Sequence, residues 1–194
     1  TVNGKIAMVN GQDFAVNGIA LSLGENTITA TMTDANGNTS STSITVYTNT
    51  QDAYVKLSST LESSLAPMST QLTLDTALPF AVTETLLSID GPSSSTPTPT
   101  TFPYTVTLDI PGIYLARVTV RTNDGYTYED KYALNVLDAT DMDTLLKAKW
   151  NGMKTRLVAG DVEGAVSFFE EGSQATYREQ FTALQPVLNL IANE

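Results

Sequence analysis

The sequence predicts a multi-domain chain of two all-β sandwich modules in tandem followed by a three-helix α module. Three observations predict it. Thr, Ser, Asn and Gly dominate up to Leu137 and then give way to Ala, Leu, Glu and Lys. Apolar residues recur at every second position before that point and at every third or fourth after it. Gly- and Pro-bearing turns separate the short apolar runs of the first part. Thr and β-branched residues favour strands while Ala, Leu, Glu and Lys favour helix, so the shift marks a boundary at Leu137/Asp138. The expected modules are 1–49 (a partial sandwich), 50–137 (a sandwich) and 138–194 (helical).

In Glu25–Thr33, Ile28, Ala30 and Met32 alternate with Thr27, Thr29, Thr31 and Thr33, the pattern of a strand with one buried and one wet face. A second strand follows, with Thr42, Ile44 and Val46 alternating against Ser43, Thr45 and Tyr47. Between them lies the turn signal Asp34-Ala35-Asn36-Gly37-Asn38. Parity decides its geometry. A two-residue Asn36-Gly37 loop would pair inward residues with outward ones. A three-residue loop, Ala35-Asn36-Gly37 with Gly37 left-handed in a bulge, keeps the faces matched.

The next segment repeats the design. Leu72/Leu74, Leu87/Ile89, Tyr104/Val106/Leu108, Tyr114/Ala116/Val118/Val120 and Tyr132/Leu134/Val136 each alternate with other residues. Asn123-Asp124-Gly125 again places Gly third in a three-residue turn. Two halves that share a strand–turn–strand ending read as a degenerate tandem array. The stretch Pro92–Thr101, rich in Ser, Thr and Pro, buries no apolar area and reads as a polar loop between two strands. From Thr140 onward Met142, Leu145/Leu146, Trp150, Met153 and Leu157 form one apolar helical stripe. Thr140 or Asp141 caps its start, and Gly160 sits where a left-handed C-terminal residue belongs. Asp161 caps a short helix carrying Val162, Ala165, Val166 and Phe169. Ser173 opens a third, with Tyr177, Phe181, Leu184 and Leu188 inward and Pro186 as a kink or restart.

Composition excludes several functions. The 194 residues carry 10 Lys+Arg against 21 Asp+Glu, a net charge of −11. That balance argues against a nucleic-acid partner, which needs clustered cations. No run reaches the roughly 18 apolar residues of a membrane span, and no signal-peptide pattern opens the sequence. With no Cys and no His, disulfides, thiol chemistry and the commonest metal ligands are absent.

The stretch Gly18–Thr31, followed by the Asp34–Asn38 turn and preceded by Thr1-Val2-Asn3-Gly4, resembles bacterial Ig-like domains over residues 1–49. Their mark is V-N-G, then L-x-x-G-x-N-x-I-x-V-x-A-x-D-x-x-G-N. The segment Leu108–Val120 with Asn123-Asp124-Gly125 is similar to the end of PKD-like domains, marked P-G-x-Y-x-x-x-V-x-V. This likeness implies that Tyr114 is a tyrosine corner, its hydroxyl tying the loop before its strand. Ala159–Phe169 resembles the opening helices of NTF2-like domains. An immunoglobulin-type sandwich takes about 100 residues, more than residues 1–49 supply. The expectation is that this chain is part of a longer protein or that another chain completes the first sheet.

Candidate chemistry is sparse. A carboxylate pair is the remaining catalytic route, and Asp124 with Glu129 or Asp130, and Glu170 with Glu171, are the candidates. Neither group has Gly-rich or aromatic surroundings that would shape a pocket, so no catalytic residue is assigned. Asp34, Asn36 and Asn38 alternate like calcium ligands, but they lack the EF-hand glycine position and closing Glu, and such residues also favour turns. No metal or cofactor site is assigned. Asn38-Thr39-Ser40 is a glycosylation sequon. Arg117 and Arg121 lie on a wet strand face with Lys131 and several tyrosines on the neighbour, a surface for a sugar or protein, or for pairing with Glu129 and Asp130. Trp150 is expected in the helical core.

The resulting expectation is a non-catalytic, extracellular spacer or adhesion segment of a larger bacterial surface or secreted protein, with protein or cell-surface glycan partners. Two alternatives stand beside it. One is a self-assembling filament-type subunit that lends a strand to its neighbour's incomplete sandwich, giving a homo-oligomer. The other is an accessory carbohydrate-binding region of a secreted glycoside-active enzyme.

Overall fold

The computed structural model describes residues 1–34, 36–48, 53–97 and 101–187. The chain divides into two compact units, Thr1–Asp138 and Ala139–Glu194. Among the described residues the first unit is built of strands and the second of short helices.

The core of the first unit is a β-sandwich. One sheet has the order β6-β11-β10-β8, with β6 Ser63–Leu65, β8 Val82–Asp90, β10 Gly112–Thr122 and β11 Thr127–Leu137. The other has the order β5-β7-β9, with β5 Tyr54–Ser59, β7 Met68–Ala77 and β9 Tyr104–Leu108. Strict alternation builds the space between them. Leu87, Ile89, Tyr114, Ala116, Val118, Val120, Leu134 and Val136 from one sheet meet Leu57, Met68, Leu72, Val106 and Leu108 from the other. The alternating runs read from the sequence are these strands. The buried Thr70 hydroxyl is satisfied by Ser59 Oγ at 2.7 Å and the Leu61 N–H at 3.0 Å.

Strand β5 alternates Val55 and Leu57 with Tyr54, Lys56 and Ser58 and was passed over in the sequence, while β6 has three residues, too few to show a period. Between them the chain changes sheets: β6 runs parallel to β11, Asn135 opposite Ser63 and Leu137 opposite Leu65.

The β10–β11 hairpin turns through three residues. Thr122 N–H donates to Tyr126 O at 3.1 Å, Gly125 N–H to Thr122 O at 3.0 Å, and Gly125 has φ +89°. Tyr114, fully buried, donates its hydroxyl to Ile110 O at 2.9 Å and lies 3.2 Å from Ser93 Oγ. The tyrosine corner expected there is present. Within the polar stretch, Ser95 bridges back to Ile89 through two backbone hydrogen bonds, while residues 98–100 lie outside the described residues.

Residues 1–48 hold a second ribbon, β3 Gly24–Thr33 against β4 Thr39–Thr48. Its register sets Ile28 opposite Ile44 and Thr33 opposite Thr39. Asp34 N–H donates to Asn38 O at 2.9 Å and Gly37 has φ +84°. That is the register a three-residue loop requires. Ala35 lies outside the described residues. Before the ribbon come β1 Met8–Asn10 and β2 Asp13–Ala15, a short antiparallel pair.

The ribbon's apolar face is not buried as its alternation predicts. Met32 is 70% and Ile44 62% exposed. The pattern reports which residues share a face, and no second sheet covers that face among the described residues.

In the second unit α1 spans Ala139–Val158, α2 Val162–Val166 and α3 Glu171–Leu184. Gly160, at φ +72°, breaks α1, and Asp161 caps α2 by accepting the Gly164 N–H at 2.8 Å. Met153, Leu157 and Ala165 form a small core with Val162, Phe169 and Phe181. Phe169 stacks on Tyr177 with ring centroids 3.8 Å apart. Five expectations fail here. α1 begins at Ala139, so Thr140 and Asp141 lie within its first turn instead of capping it, and Phe169 lies beyond the end of α2 at Val166. α3 begins at Glu171, before Ser173. Leu184 is exposed, and so is Trp150, at 61%. The apolar stripe of α1 is longer than the face its small core covers, so only its C-terminal end, at Met153 and Leu157, is buried. Leu188 lies outside the described residues. Pro186 sits in the 3-10 turn Gln185–Val187 that ends α3.

Candidate functional site

Each carboxylate singled out in the sandwich is engaged in local structure. Asp124 accepts the Thr122 hydroxyl at 2.6 Å and closes its own turn. Glu129 accepts the Thr119 hydroxyl at 3.3 Å on the outer face. Asp130 points the other way, because position 130 pairs with inward Val118, and it accepts the Leu57 N–H of β5 at 2.7 Å. The alternation that separates 129 from 130 keeps these carboxylates from acting as a pair. Glu170 stands at the N-cap of α3 without a side-chain bond, with Glu171 in the first turn.

Asp34 uses both oxygens on its own loop: Oδ1 accepts the N–H groups of Asn36 and Asn38, and Oδ2 the Asn38 carboxamide at 2.8 Å. The Asn38 carboxamide, then its backbone N–H, hold the Asp34 carboxyl below the usual carboxylate range. The Asp-x-Asn-x-Asn alternation is therefore accounted for by an Asx-type turn. Among the described residues no three acidic groups gather closely enough to hold a metal ion.

The cation–aromatic surface is not assembled. Arg117, Arg121 and Lys131 share the outer face, Arg117 directly opposite Lys131, whereas Tyr128 and Tyr132 pair with inward Val120 and Ala116. Arg121 bonds Glu84 of β8 at 2.7 Å, in place of Glu129 or Asp130. Burial, with Glu62 nearby, raises the Tyr132 pKa. Tyr126 and Tyr128 instead line a hollow of about 760 Å³ with Ala77, Leu78 and Pro79.

What the first unit does present is an open sheet. In β3–β4 the pairs 34/38, 32/40, 30/42, 28/44 and 26/46 exchange hydrogen bonds, so the N–H and C=O of Thr39, Ser41, Ser43, Thr45 and Tyr47 point away from β3. On the opposite edge Thr1–Asn3 supply partners: Thr31 N–H donates to Thr1 O at 2.8 Å and Asn3 N–H to Thr29 O at 2.9 Å. No strand pairs with β4's outer edge among the described residues. That strand has ten residues, with no Lys, Pro or acidic residue to blunt pairing.

Sequence reasoning missed one set of residues. Val-Asn-Gly occurs at 2–4, 9–11 and 16–18, a seven-residue recurrence. Each asparagine places its carboxamide on a sheet edge or beside one. Asn3 Oδ1 accepts Thr29 N–H at 2.8 Å and its Nδ2 donates to Thr27 O at 3.3 Å. Asn17 Oδ1 accepts Ala133 N–H at 2.8 Å while its Nδ2 donates to Ala133 O at 2.7 Å and Glu62 Oε1 at 2.8 Å. Asn10 Nδ2 donates to Val136 O at 3.2 Å and to buried Asn135 at 3.3 Å. The recurrence itself was the available signal.

No protein-family model and no curated protein matches the chain. Among solved structures it is similar to the fibronectin(III)-like modules of Clostridium thermocellum CbhA, at 15% identity and TM-score 0.30, covering 62% of this chain and 66% of that one. It is also similar to CopC from Methylosinus trichosporium OB3b, at 19% identity and TM-score 0.29, covering 45% of this chain and 95% of that one. Superposition at this level carries no argument, and the β-sandwich stands on the chain's own sheets and core.

Proposed function

We propose that the chain is a non-catalytic, extracellular segment of a larger bacterial surface or secreted protein that makes its contacts by strand addition. In this reading residues 1–49 are a partial Ig-like module, 50–137 a PKD-like module and 138–194 a three-helix module. The observation that carries it is the outer edge of β4, ten uncharged residues long, beside the exposed Met32 and Ile44. An added strand gains main-chain hydrogen bonds at that edge and covers the apolar face. The occupant is the same uncharged β4 edge of a neighbouring copy: net charge −11 on each chain opposes association elsewhere, and along β4 no ionised side chains meet.

Light scattering over micromolar concentrations tests it. Mass should rise with concentration for the native chain and stay monomeric for Ser41→Pro, which removes an outward N–H, and for Ile44→Lys. A native chain that remains monomeric throughout overturns the reading. A glycan-binding reading rests on the tyrosine-lined hollow, since aromatic faces stack on sugars. Saturable glycan binding lost on Tyr126→Ala would favour it.

A further inference from the structure

The three Val-Asn-Gly triplets place a hydrolysable group at each fastening point. Asn3, Asn10 and Asn17 each precede a glycine, with φ +80°, +60° and +63° in turn. Asn10 and Asn17 fasten the stretch that carries β1 and β2 to the rim of the sandwich, where Asn17 stands in for a missing strand partner of β11. An asparagine followed by glycine is the pair in which the next backbone nitrogen reaches the carboxamide carbon with least hindrance, because glycine carries no Cβ.

We propose that Asn17–Gly18 is a modification site whose hydrolysis unfastens this strap. The Gly18 nitrogen gives up its proton and bonds to Asn17 Cγ. The Cγ–Nδ2 bond breaks, ammonia leaves, and water opens the resulting cyclic imide to aspartate or isoaspartate. Water is the sole co-reactant. The product has no N–H for Ala133 O or Glu62, so a carboxylate replaces a donor against two acceptors, one of them charged. The same carboxamide is its own lock. Held by three hydrogen bonds, it is kept from turning toward Gly18 while the strap is fastened. Asn36–Gly37, at the hairpin tip, provides an internal reference, since its carboxamide makes no hydrogen bond among the described residues.

The test uses the full chain with Asn17→Asp and, as control, Asn36→Asp, reading amide hydrogen exchange. Ala133 should exchange about tenfold faster in Asn17→Asp, because the second carboxylate oxygen, set against Ala133 O and Glu62, drives the side chain off β11 and takes with it the Oδ1 that accepts the Ala133 N–H, with Val118 still protected and with no change in Asn36→Asp. If Asn17→Asp also exposes Val118, Asn17→Ser removes the carboxamide without adding charge and should reproduce the Ala133 effect alone. In aged native protein, peptide mapping should show Asn36 converting before Asn17, with fast Ala133 exchange confined to the Asn17-converted fraction. Unchanged Ala133 exchange in Asn17→Asp or Asn17→Ser overturns the proposal, as does conversion of Asn17 at the rate of Asn36 in the folded chain. Neither result bears on strand addition at β4, which the scattering experiment decides.

Discussion

Tyr114 holds its corner through one hydroxyl, so removing a single oxygen isolates what that tie contributes. Tyr114→Phe leaves Ile110 O without its partner and should cost about 1–2 kcal/mol in urea unfolding. Asp34 gives a residue-scale pH effect. Its carboxyl titrates below the usual range when folded, so its contribution to the hairpin is complete above the unfolded pKa and is lost as pH falls through the lowered value. Glu163, held down by the Arg178 guanidinium, follows the same sign in the helical unit. Tyr47 and Tyr54 run opposite: Glu25 and Asp75 raise them, so their contribution is lost only as pH climbs through the raised values. NMR titration of the Asn38 amide checks the acid limb, and Asn38→Ala should move the Asp34 midpoint upward. Tyr114 could be foreseen because its role follows from a local phrase. The Val-Asn-Gly recurrence singles out Asn17 but not its partner, since Ala133 is 116 positions away and nothing in composition specifies that pairing.

At the scale of elements, parity was the reliable guide. In both hairpins the alternation on either side of the turn admits one loop length, and both registers follow it. Gly125→Ala, at φ +89°, should therefore destabilise the sandwich by about 1–2 kcal/mol. Gly112→Ala should cost more: its φ is +147°, and a Cβ there would lie 2.3 Å from Pro92 Cγ. Thermal unfolding of both variants ranks them, and equal costs would deny the Pro92 contact its role. Strands β1, β2 and β6 were invisible because three residues are too few to show a period. Alternation also says nothing of whether a face finds a partner, which is why Met32 and Ile44 were assigned to an interior.

For the molecule as a whole, the division at Asp138/Ala139 predicts two unfolding events. Leu157→Ala removes a buried side chain of the small helical core and should cost that unit about 2–5 kcal/mol. The helical circular-dichroism transition should shift to lower temperature while exchange of the Val118 amide stays as it was. One shared transition in both proteins would deny the units their independence. The compositional shift lies at Leu137/Asp138, one residue before the point where the two units divide. The packing of the helices was less legible, because Trp150 lies in the same stripe as Met153 yet stays exposed.

The parallel pairing of β6 with β11 has a mechanical consequence. The chain enters the sandwich through β5, crosses to β6 and leaves through β11, so a stretching force that reaches β6 pulls β6 and β11 lengthwise in opposite senses. Their cross-links, Asn135 to Glu62 and Ala66 to Leu137 among them, are then strained together instead of parting one after another. A link of this kind gives way abruptly at a high threshold.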